Sequence, residues 1–338
     1  MASLQGAGGR DPELVVDGFL FGEGPRWRDG RLWFSDMLAG VVYSVGDDQR
    51  LVAELELARP SGLGFLPDGA LLVVGREYKT LDGELVSLPQ LVRHDAAGES
   101  QVLELTDGSN LNDMVVSAAG FAYLDLYGRT GAPNGVADEI MLFRPDGTTE
   151  IVATDLKLPN GMVISADGRT LVVAETMGDC LTAYSISSDG GLTDRRVFAL
   201  NVTTPDGLCL DAEGAVWTGS YSTGEFLRVS ADGDVVDRIT LPKPLWAVAP
   251  MLGGSDGRTL YMITAETTFE GWPHGRSAGR LVRLAVEVAA AGLPWGSPPT
   301  GVELAERCSV SLACARSGAP MLLAWRRGSR HEPCCPSS

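Results

Sequence analysis

Pro159-Asn160-Gly161-Met162-Val163-Ile164-Ser165-Ala166-Asp167-Gly168-Arg169-Thr170-Leu171-Val172-Val173 holds two short apolar runs around an Asp-Gly pair. Asp-Gly suits a tight hairpin, because Gly accepts positive φ and Asp hydrogen-bonds its own turn backbone. The same grammar recurs along the chain. Asp29-Gly30 precedes Arg31-Leu32-Trp33-Phe34, Asp68-Gly69 precedes Ala70-Leu71-Leu72-Val73, and Ala119-Gly120 precedes Phe121-Ala122-Tyr123-Leu124. Glu213-Gly214 precedes Ala215-Val216-Trp217, and Asp256-Gly257 precedes Arg258-Thr259-Leu260-Tyr261. Successive turn glycines lie 39, 51, 48, 46 and 43 residues apart. That period is too long for one hairpin and fits a blade of four strands.

A second apolar strand stands before each turn, as at Gly62–Leu66, Gly161–Ser165 and Gly207–Asp211. A third follows at Gly40–Val45, Cys180–Ser185 and Glu225–Val229, and a weaker fourth at Thr149–Ala153 and around Arg196–Ala199. Convincing helical periods are almost absent, and Glu287–Gly292 reads as a short turn or strand end. Missing βα alternation argues against Rossmann and TIM-barrel folds, and a two-sheet sandwich does not explain the period. The expected fold is all-β, a six-bladed β-propeller with four-stranded blades over residues 14–290. Residues 291–338 break the pattern and read as a peripheral or disordered tail.

Composition narrows the function. Of 338 residues, 27 are Lys or Arg and 44 are Asp or Glu, for a net charge of −17. Such a chain offers no basic face for nucleic acid or for an anionic membrane surface. It contains no apolar run long enough for a transmembrane helix. Met1–Arg10 lacks the apolar core of a signal peptide, so a cytoplasmic location is expected. Cys180 and Cys209 sit in apolar strands and read as small core residues. Cys308, Cys314, Cys334 and Cys335 lack the spacing and the histidines of a zinc site and read as loose thiols.

The repeat phase also aligns the residues that open each innermost strand. They are Glu23, Ser61, Asn112, Asn160, Asp206 and Trp246. In a closed ring these converge near one axis. Glu23, Asn160 and Asp206 supply two negative charges and hard oxygen donors. Such a set suits one divalent cation, Ca²⁺ first, with Mg²⁺, Mn²⁺ or Zn²⁺ as alternatives. Taken singly, Pro159-Asn160-Gly161 and Pro205-Asp206-Gly207 read better as plain turns; it is their repetition at one phase of a closed ring that favours a site. Histidines 94, 274 and 331 miss the inner positions, and no Gly-x-Ser-x-Gly elbow or nucleotide-binding loop occurs. His274, in Trp272-Pro273-His274-Gly275, stands nearest the expected mouth.

Glu23-Gly24-Pro25, Asn112-Asp113, Pro159-Asn160-Gly161-Met162 and Pro205-Asp206-Gly207-Leu208-Cys209-Leu210-Asp211 occur in order and in phase. In them the chain resembles the senescence-marker-protein/gluconolactonase family, which includes regucalcin, over roughly residues 15–290. The resemblance implies a propeller with a divalent cation in its channel and hydrolysis of lactones. It assigns the metal to Glu23, Asn160 and Asp206 and a substrate contact to Asn112. Relatives commonly place an arginine two residues before the Asn112 position, where this chain has Asn110.

The expected activity is metal-dependent opening of a lactone or ester ring. Asp206 is the first choice of general base and Glu23 the second. Asn112, Asn110, Asp125 and Trp246 are the candidate substrate contacts. Trp246 would form an apolar wall, joined at the rim by Phe269 and Trp272, and favours a less polar lactone. Trp27, Trp33, Trp217, Tyr123 and Tyr221 read as packing between blades. Gly128–Glu139 reads as a rim loop with Asp138 and Glu139 as surface charges, and Asp113 as either a site neighbour or a turn residue. The alternatives are an isomerase or other biosynthetic enzyme at the same site, and a non-enzymatic calcium-binding propeller. The expected partner is a small molecule, with the protein a monomer or weak homo-oligomer.

Overall fold

A computed structural model describes residues 11–81, 84–104, 110–130, 136–293 and 326–327. Six antiparallel sheets of four strands surround one axis as the blades of a six-bladed β-propeller. Among the described residues there is no α-helix, only two single-turn 3₁₀ segments at Thr176–Gly178 and Trp272–His274. Blades I to V each run from an innermost strand outward in sequence order. Their innermost strands are Gly22–Arg28, Leu63–Phe65, Asn110–Val116, Pro159–Ile164 and Pro205–Leu210. Blade VI starts at Leu245–Gly253, and its fourth, outermost strand is Glu13–Phe19 from the other end of the chain. Glu13 pairs with Arg283 and Phe19 with Gly279, so the ring closes through backbone hydrogen bonds. Closure leaves no free blade-to-blade seam.

All six turn glycines adopt positive φ, from 71° at Gly257 to 91° at Gly69. This is the conformation that the repeated Asp-Gly pattern requires. Trp217, Tyr123 and Phe34 are among the largest fully buried side chains. Trp27 of blade I stacks on Tyr261 of blade VI with ring centroids 5.3 Å apart. Gly253 lets that indole approach, since a Cβ there would meet the Trp27 ring at 2.6 Å.

Four details differ from the sequence reading or extend it. Cys209 is buried, but Cys180 opens a strand and is only half-buried. Glu139, expected on the surface, is buried within Val136–Phe143. Asp138 is no loose charge either: its carboxylate accepts from Gly128 N at 3.1 Å and Leu158 N at 2.9 Å. The second bond ties blade III to blade IV. Arg326–Arg327 adds a short antiparallel strand to the outer edge of blade II. Cys308, Cys314, Cys334, Cys335 and His331 lie outside the described residues.

Candidate functional site

The residues that open the six innermost strands line one cavity of about 440 Å³ at the propeller axis. Glu23, Ser61, Asn112, Asn160, Asp206 and Trp246 all reach its wall. A shared backbone device turns them there. Pairing to the second strand slips between Glu23 and Arg26, Leu111 and Met114, Pro159 and Met162, and Pro205 and Leu208. A bulge at a strand end re-aims one side chain. Next to four site residues stands a glycine that allows inner strands to touch. A Cβ on Gly161 would lie 2.5 Å from Asp206 O, and one on Gly62 would lie 2.7 Å from Asp113 Cα.

Bulging frees backbone N–H groups, which must find acceptors. In blade III a carboxylate supplies them. Asp125 Oδ1 accepts from Asn112 N at 2.7 Å and from Asp113 N at 2.9 Å. Asp125 is fully buried behind the cavity wall, and its Oδ2 has no partner among the described residues. Burial, aided by the charge of Asp113, pushes its carboxyl well above the usual range. Asp125 thus sets the backbone that carries Asn112. Asn110 also stands outside the lining, its Oδ1 accepting from Arg76 Nη1 at 2.8 Å.

Glu23 on blade I and Asp206 on blade V are buried carboxylates with only blade VI between their strands. Neither forms a salt bridge among the described residues. Burial and the charge of Asp113 push Asp206 up to about 8. Burial first, then Asp206 and Asp113, raises Glu23. The amides form a chain beside them. Asn112 Nδ2 donates to Asn160 Oδ1 at 3.2 Å, and Asn160 Nδ2 reaches Thr176 Oγ1 at 3.4 Å. Thr176 Oγ1 in turn donates to Pro205 O at 2.7 Å, holding the backbone before Asp206.

Two buried carboxylates that repel each other and have no salt-bridge partner among the described residues fit a hard divalent cation, with an amide oxygen as a third donor. Among the described residues no three His, Cys, Asp or Glu gather as a metal site. The candidate set therefore depends on Asn160 as well as on the two acids.

Below the acids, Arg26 fills the channel. Its Nε donates to Leu63 O at 2.7 Å and its Nη1 to Pro25 O at 2.7 Å. Its Nη2 reaches Met114 O and, at 3.2 Å, Asp113 Oδ1. Asp113 is thereby part of a buried ion pair that spans three blades.

The opposite wall is aromatic. Trp246 lies 5.3 Å from Tyr221 and 4.8 Å from Phe269, centroid to centroid. Phe21 approaches Trp272 edge-on at 5.6 Å. Tyr221 lines the cavity rather than a blade seam, whereas His274 does not reach it. Sequence reading missed Phe21, Arg59 and Arg76. Phe21 and Arg59 were legible in principle, since each stands two residues before an aligned site position. Arg76 carried no such signal, because it arrives from the second strand of blade II.

The family model for the SMP-30/gluconolactonase/LRE-like region matches residues 21–266. The 6-deoxy-6-sulfogluconolactonase of Pseudomonas putida is 28% identical over 255 residues, covering 73% of this chain and 84% of that one. A pentonolactonase of Haloferax volcanii is 26% identical over 291 residues, covering 81% and 92%. The crystal structure of a calcium-binding protein, regucalcin, from Agrobacterium tumefaciens superposes with a TM-score of 0.65 at 20% identity, covering 84% and 96%. The phase of the repeats, the motifs on the inner strands and the match over most of the propeller agree, and the chain belongs to the SMP-30/gluconolactonase/LRE-like family.

Proposed function

We propose that the protein is a divalent-cation-dependent lactonase whose substrate carries an apolar portion. The observation that carries this reading is the pair of buried carboxylates, Glu23 and Asp206, which have no salt-bridge partner among the described residues and line an axial cavity. The lactonase relatives support the reaction class. Glu23, Asn160 and Asp206 would hold the cation, with Ca²⁺ the first candidate. When bound, it would polarise the lactone carbonyl and offset the charge that develops on its oxygen.

The chain's own groups do the rest. Asp206 takes a proton from the attacking water, and Glu23 is the second candidate for that role. Asn112 has its backbone fixed by Asp125, so its amide can orient substrate or water without first being ordered. Trp246, Tyr221 and Phe269 exclude water from one side and receive the apolar portion.

Two results test this. Protein stripped with a chelator is expected to lose turnover on a panel of sugar, aliphatic and aromatic lactones. Ca²⁺, Mg²⁺, Mn²⁺ or Zn²⁺ added back should restore it. Turnover indifferent to chelation, or no turnover with a cation tightly bound, overturns the proposal. Trp246→Ala is expected to lower kcat/KM for aromatic lactones about tenfold more than for sugar lactones. Equal losses for both would remove Trp246 from substrate selection.

A further inference from the structure

Tyr221 packs in the apolar wall, but packing leaves its hydroxyl without a role. The residue follows Val216–Ser220, the second strand of blade V. Ser220 pairs with Pro205, and the pairing slips before Leu208, so Tyr221 stands at the strand end beside the bulge that carries Asp206. That corner is fixed. Ser220 Oγ donates to Thr203 O at 2.6 Å, and Thr223 Oγ1 donates to Ser220 Oγ at 2.8 Å. Gly224 N donates to Ser220 O at 2.9 Å and closes the turn around Tyr221. A Cβ on Gly219 would run into Ala247 O and Val248 O, so this strand lies directly against the inner strand of blade VI. The phenol ring is held between Trp246 at 5.3 Å and Phe269, edge-on at 5.7 Å.

Three tyrosines line the cavity, Tyr78, Tyr127 and Tyr221. Tyr127 Oη accepts from Arg76 Nη2 at 3.2 Å, and Tyr78 is 45% exposed on blade II. Tyr221 is half-buried, and its Oη makes no hydrogen bond among the described residues. Burial first, then the charges of Asp206 and Asp179, holds its phenol above the ordinary value. The hydroxyl therefore keeps its proton at neutral pH, beside the residue assigned to take a proton from water. Ring opening needs such a donor, because an alkoxide is a strong base and leaves slowly unless it is protonated. Other described groups of the lining serve poorly. Ser61 Oγ already donates to Asn112 O at 2.6 Å. Guanidinium groups hold their protons too tightly to act as acids.

We infer that Tyr221 is the general acid of ring opening, its Oη donating a proton to the leaving ring oxygen. The inference rests on the lactonase reading for its reaction and on the Tyr221 hydroxyl for its acid. Water adds its oxygen to the carbonyl carbon and passes one proton to Asp206. The ring C–O bond then breaks, its electron pair goes to the ring oxygen, and that oxygen takes the Tyr221 proton. The phenolate recovers a proton from the Asp206 carboxyl, directly or through water. One water is consumed, a hydroxy acid is formed, and both residues return to their starting forms.

The test varies the leaving group in cation-loaded protein. γ-Phenyl-γ-butyrolactone releases an alkoxide, dihydrocoumarin a phenolate and γ-phenyl-γ-thiobutyrolactone a thiolate, and the last two leave with little need of an acid. Y221F removes one oxygen and keeps the ring against Trp246. It is expected to lose about 10²-fold in kcat on the alkoxide lactone and less than about threefold on the other two, with KM nearly unchanged. Should Y221F not fold, wild type supplies a second reading. A positioned acid keeps kcat for the alkoxide and phenolate lactones within about tenfold, whereas unassisted departure separates them by about 10²-fold or more. Equal losses on all three substrates are the mark of packing and overturn the inference. So does an undiminished kcat on the alkoxide lactone, or the wide separation in wild type. In each of these cases the lactonase reading stands. If wild type opens none of the three rings, both fall.

Discussion

Asp206→Asn is expected to abolish cation binding and lactone turnover while raising the melting temperature of the cation-free protein. The two effects have one cause. Asp206 is buried, has no cationic partner among the described residues, and is pushed up to about 8 by burial and by Asp113. A carboxylate whose folded pKa exceeds its unfolded value of about 3.9 binds its proton more tightly in the folded state. Stability therefore falls as pH rises between about 4 and 8, and the penalty is complete above that window. Asparagine keeps the shape and removes the charge. Cation-free D206N should melt above cation-free wild type by about 2–6 °C at pH 8, and by less at pH 5. Ca²⁺ should raise the melting temperature of wild type and leave D206N unchanged, because binding to the folded state alone stabilises it. Turnover should fall about 10²–10⁴-fold with the loss of the base. Thermal melts at both pH values, with and without Ca²⁺, read all of this. A D206N protein that melts below wild type without cation, or that still gains from Ca²⁺, would remove Asp206 from the cation site.

The same residues show what could be read from sequence. Gly30, Gly69, Gly120, Gly168, Gly214 and Gly257 announced hairpins because only a narrow set of residues tolerates their φ. Their spacing then gave the number of blades. The aligned positions found all six residues that open the inner strands, because a closed ring puts equal phases at equal radius. Asp125 was legible as a polar residue near the axis, but not as a backbone acceptor. Its role depends on a bulge between Leu111 and Met114 that leaves two N–H groups without strand partners. Arg76 was illegible for a different reason. It lies on the long second strand of blade II, Leu71–Leu81, and reaches the cavity through side-chain length rather than repeat phase. Blade-seam packing misled in one case. Tyr221 follows a buried strand yet turns onto Trp246 and the cavity.

Arg26→Ala is expected to be the most destabilising single change near the axis, and its expected size follows from burial rather than from the count of bonds. The guanidinium is 4% exposed and satisfies Leu63 O, Pro25 O, Met114 O and Asp113 Oδ1. Removing it strands Asp113 as a further uncompensated acid beside Glu23 and Asp206. Breaking one side of a buried pair costs about 3–5 kcal/mol. The exposed pair between Arg283 and Glu13 is the control. It sits on the strand that closes the ring, yet solvent screens it, so Arg283→Ala should cost less than about 1 kcal/mol. Position in the topology and contribution to stability are therefore predicted to diverge. Arg26→Ala/Asp113→Ala should lose less than the two single losses combined, by about 1 kcal/mol or more. Denaturant unfolding of the cation-free proteins at one pH measures all four variants. An Arg26→Ala loss no larger than that of Arg283→Ala would mean that water reaches Asp113 once the guanidinium is gone. The channel below the acids would then be wet rather than closed. In the closed case the carboxylates of the cavity keep the burial that raises their proton affinity.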